Sequence, residues 1–208
     1  MKPNKKEYRK RGVLLGVGTR LYGGVEFGSD VVIGDYSSIG YLHEHSSNVS
    51  TVIASGTRIG PYVLIYAGAK IGAQVDVEPY SLVGAFAQIG ARCRILYRCQ
   101  MYRHVSIGVN SIIGGFLCDH ALVGNDCRVF GSLIHRAPVP WTGWDETVEP
   151  APRVADRVFI GMGALLIGDI EIGEGSYVAA GAIVTRSVPA SMLVKGTNEV
   201  SPLVLPWK

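Results

Sequence analysis

An aliphatic residue recurs at every sixth position along nearly the whole chain, often followed by Gly, with a small or β-branched residue four positions after it. The cleanest run is Ile160-Gly161…Ala164, Leu166-Ile167…Ile170, Ile172-Gly173…Ser176, Val178-Ala179…Ala182 and Val184-Thr185…Val188. The same beat passes through Leu21, Phe27, Ile33 and Ile39, then from Ile53 to Ile113, then through Leu117, Val123 and Val129. A fixed short period specifies a solenoid. Three hexads make one triangular turn of a parallel β-helix, an all-β fold. The first residue points into the core, and the small fifth residue fills the space beside a corner. Gly or a polar residue takes the outward and turn positions, where unusual backbone angles cost it least. Successive turns stack about 4.8 Å apart, each covers its neighbour, and the ends need caps. Roughly two dozen hexads give about eight turns. The expected organisation is a basic N-terminal arm over residues 1–12, the β-helix over 13–192, and a C-terminal cap or arm over 193–208.

Breaks in the beat are as informative as the repeat. From Ile39 to Ile53 the count is fourteen, two more than two hexads, which predicts a small bulge near His43-Glu44-His45-Ser46-Ser47. Two histidines two apart suggest a metal, but no third ligand follows in pattern, so the bulge is the reading kept. From Ile113 to Leu117 the count is four, a hexad shortened at a corner. The large break, residues 136–153, carries four prolines and no hexad pattern. It predicts a protruding loop, and long loops on rigid scaffolds are usually functional.

Composition narrows the classes. Of the 208 residues 48% are hydrophobic and 18% charged, which excludes a disordered chain. A net charge of +3 is too small to argue for nucleic acid. The basic cluster Lys2, Lys5, Lys6, Arg9, Lys10 and Arg11 reads as a solvated arm, and the Gly-broken Val13-Leu14-Leu15 after it is no secretory signal. No segment approaches an unbroken membrane-spanning apolar run. Cys93, Cys99 and Cys127 fall on the inward fifth position of their hexads, as small buried thiols in a reducing cytoplasm.

Chemistry on such a scaffold must use corner residues, the loop, or grooves between subunits. Counting hexads in threes puts those starting at Met101 and Leu117 on one face of successive turns. His104 and His120 are then both fourth in their hexads, stacked and outward, and His135 begins the next hexad on that face, at the loop root. A neutral imidazole there can accept a proton from a hydroxyl or an amine. Outward histidines can equally serve only as hydrogen-bond partners of neighbouring strands.

The stretch from Arg157 through Val158-Phe159-Ile160-Gly161 to Thr185-Arg186-Ser187-Val188-Pro189 resembles the C-terminal signature of the hexapeptide-repeat acyltransferases. The resemblance implies a left-handed β-helix, against the usual right-handed crossover. It also implies acyl transfer from coenzyme A, acetyl most simply, to sugars, amino sugars, amino acids or antibiotics, with active sites between the subunits of a homotrimer. In one branch a catalytic His precedes the aromatic of the V-[WF]-I-G phrase by a couple of dozen residues, and His135 falls at that distance, making it the first choice for general base. In a second branch a His stands five residues before a hexad Gly. Here His120 is only four before Gly124, and Asp119 holds the family's His position, where it can orient a neighbouring imidazole.

The same resemblance implies small outward corners, Gly163, Ala180 and Gly181, for a pantetheine arm, although the turn itself also wants small residues there. Thr185 and Arg186 match the family's T-[KR], and Lys195 can add charge for the phosphates. The family's next phrase, G-x-P-A-[KR], is replaced by Gly196-Thr197-Asn198-Glu199-Val200. Trp141, Trp144, Asp145 and Glu146 in the loop can receive the acceptor, the indoles on a sugar ring and the carboxylates on its hydroxyls or amine, or the tryptophans can pack the loop on a neighbouring subunit. The expected function is therefore a cytoplasmic, metal-free, acetyl-coenzyme A-dependent acyltransferase acting on a hydroxyl or amine of a small acceptor such as a sugar or nucleotide-linked amino sugar, without nucleic acid or membrane. A non-catalytic scaffold and a γ-carbonic-anhydrase-like zinc hydratase remain as alternatives.

Overall fold

A computed structural model describes residues 10–42, 49–136 and 149–203. These residues form strands of two to four residues joined by tight corners, in three sheets. Wall A holds eleven strands, from Leu14–Leu15 to Glu199–Pro202; wall B nine, from Arg20–Leu21 to Ile183–Val184; wall C eight, from Val25–Phe27 to Glu171–Ile172. The chain visits A, B and C in rotation, and each strand pairs in parallel with the strand one turn on, as Val77 does with Ile95 and Ile89 with Ile107. The result is an all-β solenoid of about nine turns, consistent with a left-handed coil. The extra turn over the expected eight is the first, where Leu14–Leu15 pairs with Val32–Ile33, ahead of where the beat is audible at Leu21.

First-position residues form one continuous core: Ile39, Ile53, Ile65, Ile95, Met101, Leu117 and Leu133 are all fully buried. Several fifth-position hydroxyls and thiols are buried beside them and donate to a carbonyl of the next turn, as Thr57 Oγ1 does to Gly72 O (2.8 Å) and Cys93 Sγ to Gly108 O (2.9 Å). A buried donor is thereby satisfied at no cost to the wall.

Glycine's role differs from the expected one. At the second position, Gly40 excepted, it needs no unusual backbone angle; it is there because the next turn is too close for a side chain. A Cβ on Gly34 would stand 2.4 Å from Pro61 N, and one on Gly161 2.4 Å from Ala180 N. The left-handed conformation falls instead on the fourth position, usually on a residue other than Gly: Tyr62 (φ 57°), His104 (φ 56°), Asn110 (φ 58°). Such a residue costs of order 1–3 kcal/mol in isolation. It persists because its N–H is held by the preceding turn, as His104 N is by Ala85 O (2.9 Å).

Wall A continues past the expected end of the coil. Met192–Lys195 adds a further parallel strand with Val194 fully buried, and Glu199–Pro202 folds back antiparallel on it as the cap. The chain also re-enters the wall before residue 153, since Ala151 already lies in the core. Among the described residues no helix is long and apolar enough to cross a membrane.

Candidate functional site

The corner between walls B and C carries the histidines. His104 follows the strand Gln100–Met101 and His120 the strand Phe116–Leu117, one turn apart because Met101 pairs with Leu117. Both are left-handed fourth-position residues, so their side chains leave the corner in the same direction. Their rings stack at 4.7 Å and 6°, and Phe86 one turn earlier stacks on His104 at 5.1 Å. Burial pushes the His104 imidazole below its ordinary range, and the charges of His120 and Arg103 push the same way against Asp119. His104 is therefore neutral at pH 7.

His135 is on this corner but not where the six-residue count puts it. Leu133, fully buried, pairs with Leu117 and is the first residue of its hexad. A second four-residue step, Val129 to Leu133, shifts the register in the way the step from Ile113 to Leu117 does. His135 is thus third in its hexad, level with Asp119 and Arg103, and not stacked beneath His120. Its Nδ1 pairs with Glu149 Oε2, each side chain about one-fifth exposed. Those two residues flank the break, so the contact ties its exit and return together. A carboxylate accepting from Nδ1–H holds an imidazole in one orientation. Beneath it the Cys118 thiol, pushed to about 12 mainly by burial, is no nucleophile at neutral pH.

Asp119 does not orient an imidazole. It accepts from Arg103 N (2.7 Å), Arg103 Nε (3.1 Å) and Arg103 Nη2 (2.9 Å). That fork engages both of its oxygens, and the carboxylate that pairs with an imidazole Nδ1 is Glu149's. Sequence reasoning missed both Glu149 and Arg103. The signal for Glu149 was only that an acid closes the break a His opens, and no spacing rule singles it out.

The small-residue set lies on the corner between walls A and B. Gly163 and Gly181 are left-handed (both φ 71°), exposed, and a Cβ on either would meet nothing within 4 Å. Ala180 is exposed beside Gly181. This open strip fits a narrow chain laid along the axis. Thr185 and Arg186 lie after the last strand of wall B, held by the C-terminal turn: Thr185 N donates to Asn198 Oδ1 (2.9 Å) and Arg186 Nη2 to Asn198 O (2.8 Å). The departure at Gly196-Thr197-Asn198 thus serves to brace this pair. Lys195 is exposed at the end of its strand, opposite Glu199. Within one chain the histidine corner and the glycine strip stand at opposite edges of wall B. Trp141, Trp144, Asp145 and Glu146 lie outside the described residues, as do His43 and His45.

Residues 151–186 match the family model described as bacterial transferase hexapeptide (six repeats). The chain is 30% identical over 162 residues to the bifunctional protein GlmU of Acinetobacter baylyi, covering 70% of this chain and 36% of that protein. It is 30% identical over 145 residues to a serine acetyltransferase of Mycobacterium tuberculosis, covering 69% of this chain and 46% of that one. The chain thus spans between about a third and a half of these relatives' length. Among solved structures, the Francisella novicida UDP-N-acetylglucosamine acyltransferase superposes with a TM-score of 0.58 at 13% identity, over 93% of this chain and 71% of that one. That likeness shows the same coil.

Proposed function

Since the chain belongs to the hexapeptide-repeat family, we propose that it transfers a short acyl group, most simply acetyl, from coenzyme A to a hydroxyl or amine of a sugar, a nucleotide-linked amino sugar or a similar small metabolite. The observation that carries this reading is His135 oriented by Glu149 at the mouth of the break. In the proposed step Nε2 of His135 takes a proton as the acceptor oxygen or nitrogen attacks the thioester carbonyl. The tetrahedral intermediate collapses with cleavage of the C–S bond, and the imidazolium returns its proton to the departing thiolate. His104 and His120 flank this base as stacked rings that shape the groove.

The pantetheine arm lies along Gly163, Ala180 and Gly181, with Thr185, Arg186 and Lys195 toward the phosphates. Because that strip and His135 occupy opposite edges of wall B, one chain cannot unite them. A homotrimer, with the strip of one copy facing the histidine corner of the next, does. Trp141, Trp144, Asp145 and Glu146 are proposed to receive the acceptor, and a cytoplasmic setting suits the four unpaired thiols.

The test is thiol release from acetyl-coenzyme A with a panel of amines and sugars, alongside a thermal melt with coenzyme A. Turnover with at least one acceptor and a raised melting temperature are expected. No release and no shift would defeat the reading.

A further inference from the structure

Among the described residues, one charge at the mouth of the break has no counterion. The carboxylates around it are taken. Arg103 holds Asp119 (2.9 Å), His135 pairs with Glu149, and Arg153 pairs with Asp169 (2.7 Å). Glu171, which opens the next strand of wall C, stands in register with Arg153. Arg136 follows His135 directly, is exposed, and pairs with no described carboxylate. It stands over a bare step. Gly168, one turn on, is left-handed (φ 95°), and a Cβ there would meet only Arg136 Cβ, at 3.5 Å.

The facing side of the groove does not neutralise this charge. A threefold assembly with parallel coil axes keeps axial levels, so the turn of His135 meets the same turn of the next copy. On that copy's corner between walls A and B stand Phe130-Gly131, then Met162-Gly163 and Ala180-Gly181, with no carboxylate among them. The donor's phosphates do not reach it either. His135, Gly168 and Arg186 each lie two residues past one paired series of wall B, Leu133, Leu166 and Val184. Arg186 is therefore two turns beyond the base, about 10 Å along the axis. In the proposed reaction the thioester lies at His135 and the phosphates of coenzyme A run toward Arg186 and Lys195. Arg136 is at the other end of that arm.

We propose that Arg136 binds an anionic group of the acceptor, so that the substrate is an acid: a phosphate or carboxylate carried a few bonds from the hydroxyl or amine that is acylated. This assignment rests on the acyl-transfer reading; anion binding itself does not. A guanidinium matches either anion through two parallel N–H donors. One residue from the base, it selects which end of the acceptor reaches the imidazole. The anion is held above Gly168 and the nucleophile is left toward His135. Arg136 moves no proton and touches no reacting atom; it determines specificity. A neutral acceptor would leave a desolvated guanidinium unpaired in the groove, which weakens its binding.

The test uses acceptors in matched neutral and acidic members: glucosamine with glucosamine 6-phosphate and glucosaminuronic acid, and serinamide with serine. Each is followed by thiol release from acetyl-coenzyme A and, separately, by titration calorimetry, on the full-length protein and on Arg136→Gln and Arg136→Lys. At least one acidic member should exceed its neutral counterpart on the order of tenfold in kcat/KM, and the two acids of glucosamine separate phosphate from carboxylate. Arg136→Gln should raise KM for that acid on the order of tenfold with KM for acetyl-coenzyme A unchanged, and Arg136→Lys should recover part of it. A melting curve checks that the coil is intact. Equal use of neutral and acidic members overturns the proposal. So does a raised KM for acetyl-coenzyme A, or a fall in kcat with KM retained, which would put Arg136 on the thioester carbonyl. Neither binding nor turnover of any acidic member overturns it as well. Binding of an acidic member that is lost in Arg136→Gln, without thiol release, would instead count against acyl transfer alone.

Discussion

At the corner between walls C and A, Arg92, Asn110 and Asp126 hold the left-handed fourth position on successive turns and bond one another along the axis. Arg92 Nε donates to Asn110 Oδ1 (2.7 Å) and Asn110 Nδ2 to Asp126 Oδ1 (3.1 Å). At the corner between walls B and C, Phe86, His104 and His120 hold the same position with the same backbone angles, but they meet only through ring faces. Among the described residues no side-chain hydrogen bond reaches the nitrogens of His104 or His120. The first corner satisfies its polar groups within itself and is a brace. The second keeps its nitrogens turned outward, beside the oriented His135. Identical corner geometry can therefore serve structure or chemistry, and what decides is whether the side chains pair along the axis.

The largest effect expected from breaking this contrast is on His135. His135→Ala should reduce transfer on the order of 10³-fold while coenzyme A still raises the melting temperature. Full turnover in that variant would move the base elsewhere on the corner. Opening the spacing under the histidines comes next. In Gly84→Ala the new Cβ would stand 2.4 Å from the Tyr102 backbone carbonyl, forcing two turns apart. A loss of about 2–3 kcal/mol is expected, seen as a melting temperature lower by roughly 5–10 °C; an unchanged melt would show that the turns yield freely. Glu149→Gln should lower kcat about tenfold with KM retained, since the imidazole keeps its place but loses its orienting charge. An equal effect on KM would make Glu149 a binding group.

The brace should respond far less. Arg92→Ala, at an exposed site, should cost under about 1 kcal/mol in chemical denaturation and leave kcat untouched. The smallest effect concerns pH. His104 titrates near 6.5 when unfolded and lower when folded, so the unfolded chain binds more protons in that interval. Stability is then complete above about pH 6.5 and lost as pH falls through the lowered folded value. His104→Asn should flatten the fall in melting temperature between pH 7.5 and 5.5; parallel curves for the two proteins would refute it.

Much of the candidate site was legible, but not its register. The stacked pair His104 and His120 follows from counting hexads, because nothing interrupts the walls between Met101 and Leu117 except one visible short step. His135 was misplaced by two positions because the second short step, from Val129 to Leu133, leaves a six-residue count intact: Val129 plus six is His135, and the polar histidine simply fills the slot of the buried Leu133. Asp119 was read as an orienting group because its neighbours in sequence are His120 and Cys118. Its partner Arg103 is one turn away, and no local pattern announces it.

From the period the chain is expected to be a three-walled coil, since an aliphatic residue every six positions can be buried all along one axis if the backbone turns one corner between successive burials and closes on the third. The small inward residues, buried thiols included, follow from the same constraint. Which side chains share a level was decided only by the folded walls. Parallel pairing fixes levels by hydrogen bonds between residues about sixteen to eighteen apart, and two four-residue corners and one long break change that offset, the second corner without any visible mark in the hydrophobic beat. The pairing of His135 with Glu149 and the fork of Arg103 on Asp119 both depend on that offset.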